Sequence, residues 1–365
     1  MDEHEKYMSM AVNLAKRGTG FVNPNPLVGA VIVKNGSVIG QGWHRRYGQL
    51  HAERNAFADL SESAEGADMY VTLEPCCHYG KTPPCTQAII ENKIRRVFVG
   101  SDDPNPKVAG GGIKQLRDNG IEVVTGVLKE SCDRINDIFF HYIQTGTPYV
   151  ILKYAMTADG KTAASTGESK WITGDESRQH VHQTRKRCAA IMAGLGTVVA
   201  DDPMLTCRTE DPSNPVRIIC DSRLRIPPDC NILKTAHEVP TYIAAVCHDE
   251  KKEQQIKNTG AEIIFTDACD SRVDLTQLMK MLGKSGIDSV LIEGGSELAY
   301  SAVKSGIVNK IEAYIAPKIF GGKTAFTPVG GKGVDFPDEA FMLEKPDVSV
   351  IGDDILLEYK VKGVK

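Results

Sequence analysis

The chain has 365 residues and a mass of 39.7 kDa, a length that suggests two domains. Its 43 basic and 47 acidic residues give a formal charge of −4, and no run of five like charges occurs, which disfavours a protein that coats a polyanion. No apolar stretch approaches the roughly 18 residues of a membrane span. The acidic N-terminal segment leads into apolar residues at helical spacing, which predicts an amphipathic helix and not a secretory signal.

The first half of the chain alternates short helical and strand patterns. They predict a helix at residues 7–15, a hairpin of residues 27–33 and 37–40 that turns at Asn35-Gly36, further helices at about 52–60, 85–92, 112–119 and 129–145, and strands at 69–73, 97–100 and 122–125. This alternation predicts an α/β layered domain. Gly146-Thr147-Pro148 ends the last helix, so we place a domain boundary there, between residues 1–146 and 147–365.

The second half is predicted to be a mixed α/β nucleotide-binding fold. Its patterns indicate strands at 149–153, 190–195, 216–220, 241–246, 262–265, 289–292 and 310–315, helices at about 175–186, 274–282 and 297–304, and a closing hairpin of residues 348–351 and 355–359. The halves carry charges of −1 and −3, so neither is a basic module.

Three of the ten cysteines crowd together, which points to metal or catalytic chemistry more than to a disulfide scaffold. His51-Ala52-Glu53 is followed by Pro75-Cys76-Cys77-His78 and then by Cys85. One imidazole and two thiolates suit a tetrahedral zinc ion whose fourth position stays open for water, and a carboxylate that is not a ligand can then move the proton of that water. A structural zinc or simply buried thiols are the alternatives. Adjacent cysteines rarely bind one ion together, so we expect Cys77 to be packed or free.

The second half offers weaker signals. Gly194-Leu195-Gly196-Thr197 follows a strand but lacks the third glycine of a dinucleotide fingerprint. Glu293-Gly294-Gly295-Ser296 lies between a strand and a helix, where backbone amides can approach a phosphate, although an ordinary turn would look the same. Arg185 and Arg208 could bind a sugar phosphate through two hydrogen bonds each, or could simply be solvated.

Taken together, these motifs resemble a known family. The segments from Asn25 through His51-Ala52-Glu53 to Cys85, with Asp103-Pro104-Asn105-Pro106, resemble the deaminase half of the bifunctional riboflavin-biosynthesis deaminase/reductases. Asp159-Gly160-Lys161, Ser169-Lys170-Trp171-Ile172 and Asp201-Asp202-Pro203 resemble the reductase half. The resemblance implies an α/β protein with an N-terminal cytidine-deaminase-like α/β/α domain and a C-terminal dihydrofolate-reductase-like α/β domain. The family commonly has a small polar residue in place of Cys77 and Asn in place of Asp202.

The resemblance also implies an activity and its residues. The first domain would use zinc to deaminate 2,5-diamino-6-(5-phosphoribosylamino)pyrimidin-4-one, and the second would use NADPH to reduce the ribosyl group to ribityl. His51, Cys76 and Cys85 would bind zinc, Glu53 would be the proton shuttle, and Asn25, His44, His78, Lys81 and Asn105 would contact the first substrate. Ser169, Arg185, Leu205, Arg208 and Glu293 would contact the second substrate. Ala155, Trp171, Thr197, Asp201, Gly295, Ser296, Glu297, Leu298, Ala299, Tyr300 and Ser301 would contact NADPH. Lys153 and Asp201 are the candidates for polar assistance in the reduction.

We therefore expect a cytoplasmic enzyme that acts on a small-molecule substrate, assembles as a homo-oligomer and binds neither nucleic acid nor membrane. One alternative is a deaminase of a free nucleoside or a tRNA base joined to an inactive reductase-like domain; the absence of a basic half disfavours the tRNA version. Another is a structural-zinc binding module whose second domain only drives assembly.

Overall fold

The structure is a computed structural model that describes residues 2–79, 83–106 and 108–363. The chain divides into two compact units, Met1–Gly146 and Thr147–Lys365, and each unit has its own sheet and its own cores. In the described part of the chain, no helix combines the length and the apolar character needed to cross a membrane.

The first unit is a five-stranded sheet with helices on both faces. In chain order its elements are α1 (Glu3–Ala15), β1 (Gly29–Lys34), β2 (Ser37–Trp43), α2 (Ala52–Ala58), β3 (Asp68–Leu73), α3 (Cys85–Glu91), β4 (Arg96–Ser101), α4 (Gly111–Asp118), β5 (Glu122–Thr125), α5 (Lys129–Ile135) and α6 (Asp137–Thr145). The strand order is β2-β1-β3-β4-β5; β1 is antiparallel to β2 and β3, whereas β3, β4 and β5 are parallel.

The alternation of side chains along β1 explains why this unit has two cores. Ala30 and Ile32 pack with residues of α2, α3 and α4 on one face, whereas Val31 and Val33 pack with residues of α1 and α5 on the other. All four side chains are buried. A strand covered on both faces gives a continuous apolar run in the sequence, as residues 27–33 do.

Two features of the first unit test the sequence predictions directly. The hairpin at Asn35-Gly36 is confirmed: both residues have positive φ, 51° and 77°, as a tight turn between twisted antiparallel strands requires. The single helix predicted for residues 129–145 is wrong, because the chain forms two helices, α5 and α6, that are interrupted at Asn136.

The second unit contains a nine-stranded sheet. In chain order its elements are β6 (Tyr149–Thr157), α7 (Asp175–Arg187), β7 (Ala190–Gly194), α8 (Leu195–Asp201), β8 (Val216–Cys220), α9 (Asn231–Lys234), β9 (Thr241–Ala245), α10 (Glu250–Lys257), β10 (Glu262–Phe265), β11 (Ala268–Cys269), β12 (Arg272–Val273), α11 (Leu275–Lys284), β13 (Ser289–Glu293), α12 (Ser296–Lys304), β14 (Lys310–Ala316), β15 (Asp347–Ile351) and β16 (Asp354–Lys360).

The order of the large sheet is β10-β9-β8-β7-β13-β6-β14-β16-β15, and β11 and β12 form a separate short ribbon. The strands from β10 to β14 are parallel, and β16 is antiparallel to both β14 and β15. On β7, Ala190 and Met192 pack with residues of α11 and α12, whereas Ile191 and Ala193 pack with residues of α8, α9 and α10. Helices therefore cover both faces of the parallel part.

Every strand predicted for the second unit is present at its predicted place, with differences at the ends of some of them. The strand predicted for residues 149–153 continues to Thr157, and the strand predicted for 190–195 ends at Gly194, where α8 begins. The helices α8, α9 and α10 and the ribbon of β11 and β12 were not predicted from the sequence. The ribbon's strands are two residues each and α9 has four residues, too few to show a periodic pattern.

Candidate active sites

Three side chains converge at the carboxyl-terminal edge of the first sheet. His51 lies directly before α2, Cys76 lies in the connection after β3, and Cys85 is the first residue of α3. The Nδ1 atom of His51 is 3.5 Å from the Sγ of Cys76 and 3.4 Å from the Sγ of Cys85, and the ligand atoms of all three residues lie within 4.8 Å of one another. Residues that are 34 positions apart in sequence thus form one cluster.

The electrostatics of the cluster favour a bound cation. Hydrogen bonding from the Cys85 thiol, aided by His51, lowers the pKa of Cys76 to about 4, although burial acts in the opposite direction. The backbone amide of Cys85 also donates to the Cys76 sulfur at 3.4 Å. One nitrogen and two sulfurs, one of them readily ionised, are donors that zinc prefers, so the residues present fit a zinc ion.

Glu53 and Cys77 indicate whether the cluster suits a catalytic or a structural zinc ion. Glu53, in the first turn of α2, is 3% exposed, and burial raises the pKa of its carboxyl, as does the neighbouring Cys76 thiolate. Cys77 is outside the described cluster of three, and burial raises the pKa of its thiol. The described part of the chain therefore offers three candidate ligands and an adjacent buried acid, the set that a zinc site with one position open to water requires.

Asn25 and His44, two of the residues predicted to contact the first substrate, meet beside the cluster. The Nδ2 of Asn25 lies 3.1 Å from the Nε2 of His44, and the His44 ring centroid is 5.5 Å from that of His51. Because the Nδ1 of His44 lies 3.1 Å from the Leu50 carbonyl, we assign its proton to Nδ1, which leaves Nε2 to accept from Asn25. Burial lowers the pKa of His44, which favours the neutral form of this ring.

The other predicted contacts of the first substrate are His78, Asn105 and Lys81. The Nδ1 of His78 is buried without a hydrogen-bond partner among the described residues, so it is available to a bound molecule. The backbone amide of Asn105 donates to the Asp103 carboxylate at 2.8 Å, and burial raises the pKa of that carboxyl to about 6. Lys81 lies outside the described residues.

A cavity of about 620 Å³ in the second unit gathers most of the predicted cofactor contacts. Thr197, Asp201, Gly295, Ser296, Glu297, Leu298 and Ser301 all line it. The first turn of α8 and the turn after β13 face each other here, since a Cβ on Gly294 would lie 2.9 Å from the Oγ1 of Thr197. The predicted turn at Gly194-Leu195-Gly196-Thr197 is thus the end of β7 and the start of α8. Gly294 and Gly295 have φ values of 93° and 81°, which favour glycine and leave room for a phosphate near the start of α12.

A smaller cavity of about 300 Å³ adjoins the first and gathers predicted contacts of the second substrate. Ser169, Arg185, Leu205 and Glu293 line it, together with Lys153, Ala155 and Ala299. The two cavities share Ser169, Thr197, Asp201, Gly295 and Ser296 among their walls. A cofactor in one would therefore lie next to a substrate in the other.

The charged groups of the smaller cavity pair with one another. Arg185 donates to both carboxylate oxygens of Glu293, at 2.6 and 2.9 Å, and its remaining terminal nitrogen donates to the Thr206 carbonyl. This differs from the expectation that Arg185 binds a phosphate through its fork, because Glu293 already occupies that fork. Lys153 lies between Glu293 on β13 and Glu312 on β14, in register with both.

The pKa directions in this cavity follow from burial and pairing. Burial opposes the ionisation of Glu293, but Arg185 outweighs it and keeps the pKa of Glu293 below its usual value. Burial lowers the pKa of Lys153, although Glu293 acts against it.

Three predicted contacts do not line either cavity as the described residues define them. Trp171 is 62% exposed and stacks under the guanidinium of Arg178. Arg208 points its Nε towards His182 at 3.2 Å, and Tyr300 donates its hydroxyl to the Gly333 carbonyl at 3.0 Å.

Sequence reasoning missed several residues that the structure brings to these sites. Glu74 contacts the backbone of the segment before α4, and Arg225 and Arg272 line the larger cavity. Arg225 follows Asp221-Ser222 at the carboxyl end of β8, and β8 pairs with β7. In dinucleotide-binding folds an acidic residue or an arginine after the neighbouring strand binds the cofactor's ribose or its 2′-phosphate, so this pattern could have pointed to Arg225.

Comparison with known proteins agrees with both sites. Residues 1–101 match the cytidine and deoxycytidylate deaminase zinc-binding region, and residues 148–357 match the RibD C-terminal domain. The riboflavin biosynthesis protein RibD of Actinobacillus pleuropneumoniae is 55% identical over 97% of this chain and 94% of its own length. Among solved structures, Acinetobacter baumannii RibD has a TM-score of 0.87 at 35% identity and covers 99% of both chains. A Thermotoga maritima deaminase/reductase has a TM-score of 0.87 at 36% identity, with 98% of this chain and 99% of its own covered.

The fold and the two sites define a bifunctional enzyme in which a zinc-dependent deaminase domain precedes an NADPH-dependent reductase domain. The predicted fold class and the predicted cofactors, zinc and NADPH, are thereby confirmed. The chain belongs to the family of riboflavin biosynthesis protein RibD, as its resemblance had implied.

Proposed function

We propose that residues 1–146 release the 2-amino group of 2,5-diamino-6-(5-phosphoribosylamino)pyrimidin-4-one as ammonia, and that residues 147–365 then reduce the ribosyl group of the product to ribityl. The observation that carries this proposal is the convergence of His51, Cys76 and Cys85 beside the buried carboxyl of Glu53. The Thermotoga maritima relative is described as a diaminohydroxyphosphoribosylaminopyrimidine deaminase and 5-amino-6-(5-phosphoribosylamino)uracil reductase, which supports the same pair of substrates.

In the deaminase, His51, Cys76 and Cys85 would hold zinc, which when bound supplies a Lewis acid that brings the pKa of a water molecule towards neutrality. Glu53 then takes the proton of the attacking water at a carboxylate oxygen and delivers it to the departing amino nitrogen. The raised pKa of Glu53 suits a group that must both accept and donate near neutral pH. Asn25, His44, His78, Lys81 and Asn105 are the proposed substrate contacts.

In the reductase, NADPH when bound supplies the hydride. Thr197, Ser296 and the glycine turns line the proposed cofactor cavity. Ser169, Leu205 and Glu293 hold the substrate beside it, and Arg185 orients the Glu293 carboxylate. Arg208 is the proposed phosphate contact on the family resemblance alone. Lys153 and Asp201 are the proposed polar groups: burial makes the Lys153 ammonium a readier proton donor than a surface lysine, and Asp201 lines both cavities.

The proposal also covers the oligomeric state, the location and the binding partners of the protein. We propose a homo-oligomer in the cytoplasm that acts on small molecules and binds neither nucleic acid nor membrane. Free thiols at all ten cysteines support a reducing compartment, and the charges of −1 and −3 on the two halves give no basic surface for a polyanion. The assembly rests on the family resemblance alone.

The test is Glu53→Gln, which keeps the size of the side chain and removes its ability to carry a proton. We expect ammonia release to fall by at least about 100-fold, while the protein keeps one zinc per chain and still reduces the supplied deaminated substrate with NADPH. Glu91→Gln, at an exposed position on α3, is the matched control. Normal ammonia release by the Glu53 variant, or a purified chain that holds no zinc, would contradict the proposal.

A further inference from the structure

Glu74 is a buried carboxylate that the proposed mechanism does not use. It follows β3 directly, is 3% exposed and lies two residues before the proposed zinc ligand Cys76. Its Oε2 accepts from the backbone amide of Gly110 at 3.0 Å, and its Oε1 accepts from the amides of Gly112 and Ile113 at 3.0 and 3.1 Å. Three amides thus converge on one side chain that comes from a different part of the chain.

These amides belong to the start of α4, which has no capping side chain of its own. The residue at the N-cap position is Gly110, whose φ of 80° places it in the left-handed region and which has no side chain to cap the helix. A carboxylate near a helix N-terminus satisfies amides that the helix cannot pair, and it interacts favourably with the helix dipole. Glu74 therefore caps the N-terminus of α4, a role that the glycine at the N-cap position cannot fill.

The backbone around Glu74 packs against the same elements. The amide of Glu74 donates to the Ser101 carbonyl at the end of β4, at 2.9 Å, and the Asp103 amide approaches the Glu74 carboxylate at 3.5 Å. A Cβ on Gly112 would lie 2.0 Å from the Pro75 carbonyl oxygen, so α4 begins in direct contact with the connection that carries Cys76. Glu74 is consequently hydrogen-bonded near both ends of the described residues between β4 and α4, which are residues 102–106 and 108–110.

We propose that Glu74 is a positioning residue of the deaminase, which holds residues 102–106, and with them the proposed substrate contact Asn105, in a fixed place relative to the connection that carries Cys76. The inference rests on the proposed function, because it needs Asn105 to meet the substrate. Glu74 touches neither substrate nor metal in this account. It acts through the backbone amides of Gly110, Gly112 and Ile113.

The decisive variant is Glu74→Gln in the full chain, which keeps the side-chain volume but turns an amide nitrogen towards the backbone donors. We expect the KM for the aminopyrimidine to rise roughly 10- to 100-fold, the loss expected for hydrogen bonds to a charged group, while kcat stays within about threefold. Zinc content and NADPH-dependent reduction of the supplied deaminated substrate should equal those of the wild type. Hydrogen exchange of the amides of residues 110–113 should accelerate.

Two comparison variants make the outcome decisive. Glu91→Gln, on the exposed face of α3, should leave all five readouts unchanged: KM, kcat, zinc content, reduction and hydrogen exchange. Glu74→Asp keeps the charge on a shorter side chain and should give a smaller rise in KM. It also decides the question if Glu74→Gln fails to fold, since a wild-type KM in a zinc-loaded Asp variant would overturn the proposal.

Two other results would overturn it as well. One is a wild-type KM in Glu74→Gln; the other is a loss of kcat accompanied by loss of zinc, which would mean that Glu74 only maintains the metal site. If the wild-type chain itself released no ammonia, the proposed function would fail along with this inference. That outcome is distinct from an active wild type with an unaffected Glu74 variant.

Discussion

Asp221, at the carboxyl end of β8, shows how one buried carboxylate can decide which cofactor fits. In many dinucleotide-binding folds an acidic residue near this position accepts a hydrogen bond from the ribose 2′-hydroxyl of NADH. Here the carboxylate accepts from the backbone amides of its own turn, including those of Arg225 and Ile226, and it is 1% exposed. Asp221, Ser222 and Arg225 of this turn all line the larger cavity, where Arg272 joins them, but the Asp221 carboxylate is already engaged by the amides of its own turn. This arrangement suits the 2′-phosphate of NADPH.

We therefore predict that Arg225→Ala weakens the preference for NADPH over NADH. The KM for NADPH should rise about 10-fold or more, because a guanidinium–phosphate hydrogen bond is lost, whereas the KM for NADH should hardly change. Steady-state kinetics with both cofactors, on the deaminated substrate, measure the effect. Arg223→Ala is the matched control, because Arg223 is exposed in the same turn and does not line the cavity. An equal loss with both cofactors would refute a role in selecting the phosphate.

The same residues show how far the sites could be predicted from the sequence. His51, Cys76, Cys85 and Glu53 were predictable because zinc chemistry restricts both the residue types and their spacing. Glu74 and Asp221 were not, because an isolated acidic residue has no distinctive pattern. The partners of Glu74 in α4 are 36 to 39 residues away in sequence, and only the fold brings their amides to it.

At the scale of elements, the interruption between α5 and α6 has a structural use. Asn136 lies at this break and is 2% exposed. Its Oδ1 accepts from the Leu27 amide at 2.8 Å, and its Nδ2 donates to the Leu27 carbonyl at 2.9 Å. Leu27 lies two residues after Asn25 and two before β1 begins, where it has no ladder partner. Asn136 therefore fixes the segment that carries a proposed substrate contact.

Replacement of Asn136 by alanine should lower the free energy of unfolding of the first unit by about 2 kcal/mol, because two partly buried backbone groups of Leu27 would lose their partner. It should also raise the KM for the aminopyrimidine. Urea unfolding followed by zinc release reports on this unit alone. In the control, Asn119→Ala removes an exposed asparagine at the end of α4 and should change the stability by less than about 0.5 kcal/mol. Equal effects of the two replacements would disprove the role assigned to the break.

Helical periodicity alone could not have revealed this break. Residues 129–145 keep a helical spacing of apolar side chains on both sides of Asn136, and asparagine is only mildly unfavourable within a helix. The hydrogen bonds between Asn136 and Leu27, which lie 109 residues apart in sequence, favour a break in the helix at Asn136, and helical spacing gives no sign of them. The Asn35-Gly36 turn was predictable for the opposite reason, since the signal and the structure lie in the same two residues.

At the scale of the whole molecule, strand order decides which side chains become neighbours. The sheet of the second unit places β13 between β7 and β6, so that Glu293 pairs in register with Lys153, 140 residues earlier in the chain. Sequence patterns predicted these strands but could not order them, because order depends on how the helices pack between strands. The pairing of Lys153 with Glu293 and Glu312 is thus a property of the topology.

The two sites are each built within one unit, and this leads to a final prediction. His51, Cys76, Cys85 and Glu53 belong to the first unit, whereas every residue that lines the two cavities belongs to the second. Removing zinc with a chelator should abolish ammonia release and leave the NADPH-dependent reduction of supplied deaminated substrate within about twofold. Cys85→Ala should reproduce this pattern without a chelator. Added zinc should restore deamination to the wild type after chelation but not to the Cys85 variant. If reduction fell in parallel with zinc content, the reductase would need the folded metal site, and the two activities could not be independent.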